Sequence, residues 1–301
     1  MTALINNRPT FFCVGAAKSG TTALHNYLRQ HPDIYMPIKK EIHHFAPDLL
    51  KADDFWLNME KYLSLFRKAK SCQIIGETSV LYLLSEKSAT EIKKFEPEAK
   101  VIIILRNPIE VIKSRHTQLV FNGEENITDF EETLKIEEER KLGKNLPPNT
   151  RIIKKHLPLY SVSFAEQTER FMNVFDKSQL SIVIYDDFIA NPIEEIKKLY
   201  KFLGVDDSFT PTLKTVNARK KVKSRKLQNG FKAFSNKILE RFLDENQVEA
   251  FRLWLENINS VYVEPEKMKP ETRAMLTQKL KPEIEKLSTL LNRDLSHWLN
   301  N

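Results

Sequence analysis

Short runs of purely apolar residues alternate along the chain with longer segments that have apolar residues at helical spacing. Four such runs predict buried strands, over residues 10–14, 73–76, 101–105 and 180–185. Runs without polar alternation are typical of parallel strands that are covered on both faces. The pattern therefore predicts an α/β fold in which about five mainly parallel strands form a central sheet flanked by helices. We expect a single domain that covers residues 1–301.

Capping residues and prolines mark the helix starts. Asn107 with Pro108, and Asn191 with Pro192, each place a capping residue before a proline at the first helical position. A helix is also expected after Gly20, and it ends near residues 31–32. Further helices are predicted over residues 127–142, which are highly charged and expected to be exposed, and over 160–175, 245–258 and 270–299.

Composition is that of a folded protein, because 41% of the 301 residues are hydrophobic and 29% are charged. The longest aliphatic run, residues 101–105, is too short to cross a bilayer. The first ten residues lack the apolar core of a signal peptide, so we expect a cytoplasmic protein. Two cysteines cannot build a disulfide framework or a multi-thiolate metal site.

The net charge of +7 is concentrated in one segment. Residues 208–239 contain no acid, whereas they contain nine lysines and arginines, so the rest of the chain is slightly acidic. This distribution indicates a local polyanionic ligand, although a solvated basic loop is the alternative. A nucleic-acid binder would spread its basic residues more widely and mix them with aromatics, so we expect no nucleic-acid partner.

A glycine loop joins the first strand to the first helix. Strand, glycine loop and helix together aim backbone N–H groups at an anion. Gly15 and Gly20 have the spacing of a Walker A loop, but the lysine is Lys18, inside the loop, and not the residue after Gly20. The motif of a P-loop kinase is therefore not matched, and that class remains the alternative.

The loop Gly15-x-x-Lys18-x-Gly20-Thr21-Thr22 resembles the 5′-phosphosulfate loop of sulfotransferases that use 3′-phosphoadenosine 5′-phosphosulfate (PAPS). Arg106 at a strand end and Ser114 eight residues later resemble the pair that binds the 3′-phosphate in that family. The resemblance implies a P-loop-like domain with PAPS as donor. It also implies donor contacts by Lys18, Ser19, Gly20, Thr21, Thr22, Arg106 and Ser114.

Four more segments are similar to those of the bacterial members and of the related heparan-type enzymes. They are residues 40–45, 185–192, 217–225 and 294–298. The third of these resembles a basic loop that closes over the nucleotide. That resemblance implies further nucleotide contacts by Lys223 and Arg225.

Sulfuryl transfer requires a base for the acceptor and a positive charge for the leaving phosphate. Glu77 follows the second predicted strand and matches the catalytic glutamate of heparan-type enzymes, while Lys18 fits the second role. His43 and His44 are alternative bases, and a purely structural role for Glu77 is also open. Lys40 is a further candidate for contact with the transferred group or with the acceptor.

The acceptor is less well defined. Thr78 stands where heparan-type enzymes have a lysine, which argues against a polysaccharide. A glycan, a lipid or polyketide-type hydroxyl and an alkaloid amine all remain open. We expect a small or carrier-bound metabolite with a hydroxyl or amine, bound by loops over residues 47–70 and 120–146 and by part of the basic segment. A sulfuryl group carries less charge than a phosphoryl group, so we expect no metal.

Overall fold

The computed structural model describes residues 7–51, 57–71, 73–148, 150–213, 220–222, 260–262 and 267–300. Its centre is a five-stranded parallel sheet in the order β2-β3-β1-β4-β5. The strands are β1 (Phe11–Gly15), β2 (Ile34–Tyr35), β3 (Ile74–Thr78), β4 (Lys100–Leu105) and β5 (Leu180–Ile184). The predicted α/β fold is thereby confirmed.

Helices cover both faces of the sheet. They are α1 (Thr21–Leu28), α2 (Met59–Ser64), α3 (Leu81–Leu84), α4 (Ser88–Phe95), α5 (Pro108–Asn122), α6 (Phe130–Lys135), α7 (Glu137–Lys141), α8 (Phe164–Met172), α9 (Tyr185–Ala190), α10 (Pro192–Leu203) and α11 (Pro270–Leu291). Short 3₁₀ turns lie at Ile153–His156, Tyr160–Val162, Lys177–Gln179 and Ser296–Leu299. A separate antiparallel pair consists of β6 (Lys220–Val222) and β7 (Ser260–Tyr262). Within the described ranges no helix is both long and apolar enough to span a membrane.

The two faces of β1 enter two different hydrophobic cores. Phe12 and Val14 pack into a core that also contains residues of α5, α8 and α11. Phe11 and Cys13 pack on the opposite side against α1 and α10. Because side chains alternate along a strand, covering both faces requires apolar residues throughout. This is why uninterrupted apolar runs in the sequence predicted the strands.

One helix prediction was wrong in detail, and one strand of the sheet was not predicted. Residues 127–142 form the two short helices α6 and α7, and they are not wholly exposed, since Arg140 is buried and pairs with buried Glu125 at 2.7 Å. A buried ion pair offsets the cost of removing each charge from water, which composition does not reveal. The two-residue strand β2 has too few residues to produce a pattern. The predicted helix at 245–258 lies outside the described residues.

The order of the strands determines where a site can form. The chain leaves β1 towards β2 and β3 on one side, and later returns to β4 and β5 on the other. In open α/β sheets, ligands bind at the carboxyl ends of the strands where the winding reverses. Here that point lies at the carboxyl ends of β1, β3 and β4.

Candidate active site

The loop between β1 and α1 has the backbone of an anion-binding turn. Lys18 and Gly20 both adopt positive φ, at 64° and 88°. A Cβ on Gly20 would lie 3.0 Å from a ring carbon of Tyr185, so the close approach of the ring requires glycine there. The first turn of α1 contains no acid and has no side-chain cap. The first N–H groups of α1 are thus available to a negatively charged ligand.

Ser19 provides an independent sign of a ligand. Its side chain is fully buried, and its Oγ has no hydrogen-bond partner among the described residues. A buried hydroxyl without a partner is unfavourable, and an anionic oxygen in the loop would satisfy it. The residues present therefore fit a phosphate or sulfate group at this turn.

Lys18 is partly buried and is oriented by helix α5. Its Nζ donates to Oε1 of Gln118 at 3.0 Å. Gln118 in turn donates to Asn122 at 2.9 Å, and Asn122 donates to Glu124 at 3.0 Å. Ser114 lies one helical turn before Gln118 and hence on the same face of α5, towards the loop.

Arg106 connects the loop to the end of β4. Its guanidinium donates to the backbone carbonyl of Lys18 at 3.3 Å and lies 4.7 Å from the centre of the Tyr185 ring. A cation over an aromatic face keeps its charge while its orientation is restricted. The two predicted phosphate-binding residues, Lys18 and Arg106, therefore belong to one continuous surface.

The segment that begins at Lys40 lies across the end of β3. Lys40 donates to Oγ1 of Thr22 at 3.1 Å and to Glu41 at 2.8 Å. Glu41 is bound by its backbone N–H to the carbonyl of Thr78 at 2.8 Å. Burial opposes ionisation of Glu41, but Lys40 and nearby His43 outweigh it and hold its pKa below the usual value.

His43 and His44 point to different surroundings. The Nε2 atom of His43 lies 3.5 Å from a carboxylate oxygen of Glu41, beside the site. His44 is buried and its ring stacks on Tyr62, with centroids 4.3 Å apart. The structure thus assigns His44 to the aromatic packing, whereas His43 remains close to the charged residues.

Glu77 is enclosed within the protein. It lies inside β3, opposite Phe12 of β1, and not after the strand as the sequence indicated. The carboxylate is fully buried and accepts hydrogen bonds from Ser79 at 2.5 Å, from Tyr62 at 2.6 Å and from Tyr82 at 2.9 and 3.1 Å. Burial raises the pKa of Glu77 to about 7, although the three hydroxyls oppose that change.

Thr78 points to the opposite face of the sheet. Its hydroxyl lies 3.0 Å from Nδ1 of His25, whose Nε2 contacts the carbonyl of Pro37 at 3.1 Å. Burial lowers the pKa of His25 to about 3, so the imidazole is neutral. Threonine at this position therefore supports the α1 side of the sheet and lies away from Glu77.

Asp186 and Asp187, the two acids directly after β5, bind the carboxyl-terminal segment. Asp186 accepts from the indole N–H of Trp298 at 2.6 Å, and its carboxylate lies 3.1 Å from His297. Asp187 pairs with Arg293 at 2.7 Å. In the part of the chain that the structure describes, no cluster of three or more His, Cys, Asp or Glu could hold a metal ion.

Most of the predicted site residues lie at this edge of the sheet. They are Lys18, Ser19, Gly20, Thr21, Thr22, Lys40, His43, Glu77, Arg106 and Ser114. Lys223 and Arg225, with most of the basic segment, lie outside the described residues. Sequence reasoning missed Gln118, which helical spacing from Ser114 would have found. It also missed the hydroxyls around Glu77, and the contact of Tyr62 has no signal in the sequence.

Comparison with known proteins identifies the class to which this fold and loop belong. The family model described as "Sulfotransferase domain" matches residues 8–261. A crystal structure of a sulfotransferase from Alicyclobacillus acidocaldarius covers 97% of this chain and 98% of its own, with a TM-score of 0.72 and 27% identity. The chain thus has the P-loop-like α/β fold of a sulfotransferase domain.

The chain belongs to the sulfotransferase domain family. Heparan sulfate glucosamine 3-O-sulfotransferase 5 of Mus musculus and that of Homo sapiens are each 26% identical over 203 residues, which is 67% of this chain and 55% of theirs. A bifunctional heparan sulfate N-deacetylase/N-sulfotransferase 4 of Mus musculus is 26% identical over 208 residues. This chain spans about half the length of the first two relatives. The predicted relation to heparan-type enzymes is confirmed.

Proposed function

We propose that this protein transfers a sulfuryl group from PAPS to a hydroxyl or amine of a small or carrier-bound metabolite. The observation that carries the proposal is the contact between the Arg106 guanidinium and the backbone of Lys18. It brings the cation expected at the 3′-phosphate against the loop expected at the 5′-phosphosulfate. When bound, the donor supplies an activated sulfuryl group on a phosphate.

The roles of the residues follow from their surroundings. Glu77 would take the proton that the acceptor loses as the acceptor atom bonds to sulfur. Lys18 would balance the negative charge that develops on the phosphate as its bond to sulfur breaks. Lys40 is oriented by Thr22 and Glu41 towards the first turn of α1, and it would contact the transferred group.

The chemistry of the acceptor is inferred from one residue that differs from the heparan-type enzymes. Thr78 replaces the lysine expected in heparan-type enzymes, and its hydroxyl is directed to His25 on the other face of the sheet. The site near Glu77 consequently has one cation fewer for an anionic polysaccharide. This favours a small or carrier-bound acceptor. Because such metabolites are found in the cytoplasm, we propose that compartment for the enzyme.

The kinase alternative has weaker support. It requires acids free to bind Mg²⁺ beside the loop, and the candidates Asp186 and Asp187 are engaged by Trp298 and Arg293. In addition, Lys18 belongs to the loop itself, whereas the lysine of a Walker A motif follows the second glycine. These contacts favour sulfuryl over phosphoryl transfer.

Titration calorimetry with the product nucleotide, adenosine 3′,5′-bisphosphate, tests the proposal. We expect binding that does not depend on Mg²⁺, and a loss of about 10- to 100-fold in affinity for Arg106→Ala, since charge-assisted hydrogen bonds are removed. Arg29→Ala, at an exposed position after α1, is the matched control and should bind normally. Absence of binding, or a requirement for Mg²⁺ with preference for ATP, would overturn the proposal.

A further inference from the structure

The hydroxyl groups around Glu77 come from two different parts of the fold. Ser79 and Tyr82 follow Glu77 directly in the chain, at the end of β3 and in α3. Tyr62 comes from α2 and donates to Oε2 at 2.6 Å, the shortest of the contacts to that oxygen. The carboxylate is therefore held by its own segment and by one distant residue.

Ser79 and Tyr82 are themselves oriented by backbone N–H groups. The hydroxyl of Ser79 accepts from the N–H of His43 at 3.0 Å, and that of Tyr82 accepts from the N–H of Phe45 at 3.3 Å. An N–H donor at the oxygen leaves the hydroxyl hydrogen to point at Glu77. These two hydroxyls form a fixed support for one side of the carboxylate.

Tyr62 is held by aromatic packing. Its ring is fully buried and stacks on His44, and it makes edge contacts with Phe45 and Phe66 at centroid distances of 5.3 and 5.2 Å. Such a ring cannot rotate away without disturbing the core. The position of its hydroxyl against Glu77 is consequently a fixed property of the fold.

The charged and titratable neighbours of Glu77 act in opposite directions. Burial and the nearby carboxylate of Glu41 favour the neutral acid, whereas hydrogen bonds from hydroxyls favour the carboxylate. Among the residues that the structure describes, the other titratable side chains near Glu77 are Cys13 on β1, Lys40 and His43 in the segment across the end of β3, His44 beside Tyr62, and the two tyrosines themselves.

We propose that Tyr62 is a positioning residue that orients the carboxylate of Glu77 and keeps it ionised for proton transfer. The inference rests on the proposed role of Glu77 as base. Loss of the hydroxyl would leave Oε2 with the weaker contact from Tyr82. The neutral acid would then be favoured, and less of the base would be available at neutral pH.

A carboxyl ¹³C NMR titration of protein labelled at glutamate tests this without an acceptor. The resonance missing in Glu77→Gln identifies Glu77. In Tyr62→Phe we expect its midpoint to lie higher by roughly 0.5 to 1 pH unit, as for one lost hydrogen bond. Phe66→Leu is the control, because it loosens the same aromatic cluster without removing a hydroxyl, and it should leave the midpoint unchanged.

The possible outcomes separate this inference from the proposed function. An unchanged midpoint in Tyr62→Phe, with that variant folded, would overturn the role of Tyr62 and leave the base assignment intact. An equal rise in Phe66→Leu would show that packing and not the hydroxyl is responsible, which also overturns it. Failure of the proposed function would instead appear as loss of binding of adenosine 3′,5′-bisphosphate in the unmodified protein.

Discussion

The two halves of the site are built in opposite ways. On the donor side, Lys18 and Arg106 are partly exposed; the amide of Gln118 contacts Lys18, whereas a backbone carbonyl and the ring of Tyr185 orient Arg106. On the base side, the carboxylate of Glu77 is fully buried and surrounded by hydroxyls. The uncharged partners of Arg106 orient its guanidinium and leave its charge available to an incoming anion.

This difference shows how one edge of a sheet can serve two chemical tasks. The donor side depends on charge that remains accessible, as anion binding requires. The base side depends on a group whose ionisation is tuned by removal from water. Variants of the two sides should therefore fail differently, the first in both binding and turnover and the second in turnover alone.

Replacing the loop lysine should have the largest effect. In Lys18→Ala, we expect sulfuryl transfer to fall by more than about 10⁴-fold, because donor binding and the charge on the leaving phosphate both depend on the ammonium. Release of adenosine 3′,5′-bisphosphate from PAPS, with an acceptor found in a mass-spectrometric screen, measures this. The control variant Lys40→Ala, in the same site, should lose much less of the sulfuryl-transfer activity. Near-normal turnover of Lys18→Ala would contradict the role.

The base side should respond in turnover only. Glu77→Gln keeps the shape of the side chain, and we expect turnover to fall by roughly 10²- to 10⁴-fold, the usual range for loss of a general base. Calorimetry with the product nucleotide should give an affinity equal to that of the unmodified protein. If that affinity collapses as well, Glu77 has a structural role and the contrast between the two sides disappears.

The pH dependence of turnover should reveal the burial of the carboxylate. Because the pKa of Glu77 is raised from 4.5 to about 7, the base is protonated over a wider acidic range. Turnover should rise about tenfold per pH unit below that pKa and level off above it. The midpoint of this pH profile, read from rates between about pH 3.5 and pH 9, should lie at about 7. A midpoint near 4.5 would show that burial does not control the base.

The smallest effect is expected from the buried loop serine. Ser19→Ala removes a hydroxyl that has no hydrogen-bond partner among the described residues, so folding should be nearly unaffected. Affinity for the product nucleotide should fall about 3- to 10-fold, as for one hydrogen bond. Ser208→Ala, at an exposed turn, is the control. If Ser19→Ala and the unmodified protein bind the nucleotide equally well, the phosphate does not contact the Ser19 hydroxyl.

Local patterns predicted the parts of the site that lie near one another in the chain. The apolar runs located four of the five strands of the sheet, and Asn107 with Pro108 correctly marked the start of α5. The glycine spacing and Lys18 located the loop at the carboxyl end of β1. These succeed because capping, turn formation and strand burial each depend on a few consecutive residues.

Contacts between distant segments could not be read in the same way. The hydroxyl of Tyr62 reaches Glu77 from another element, and Gln118 reaches Lys18 across the site. Burial of Glu125 with Arg140 turned a segment expected to be exposed into part of the interior. Each of these depends on how whole elements pack, and packing has no fixed spacing in the chain.

The amino-acid sequence alone determined the alternation of strands and helices, the conformation of the glycine loop and the types of group available for the chemistry. Only the tertiary structure decided that Glu77 is enclosed by hydroxyls, that Thr78 faces the other side of the sheet, and that Arg106 meets the backbone of Lys18. The reason is physical: steric and capping preferences act within a few residues, whereas desolvation and hydrogen-bond geometry are set by neighbours that the fold brings together.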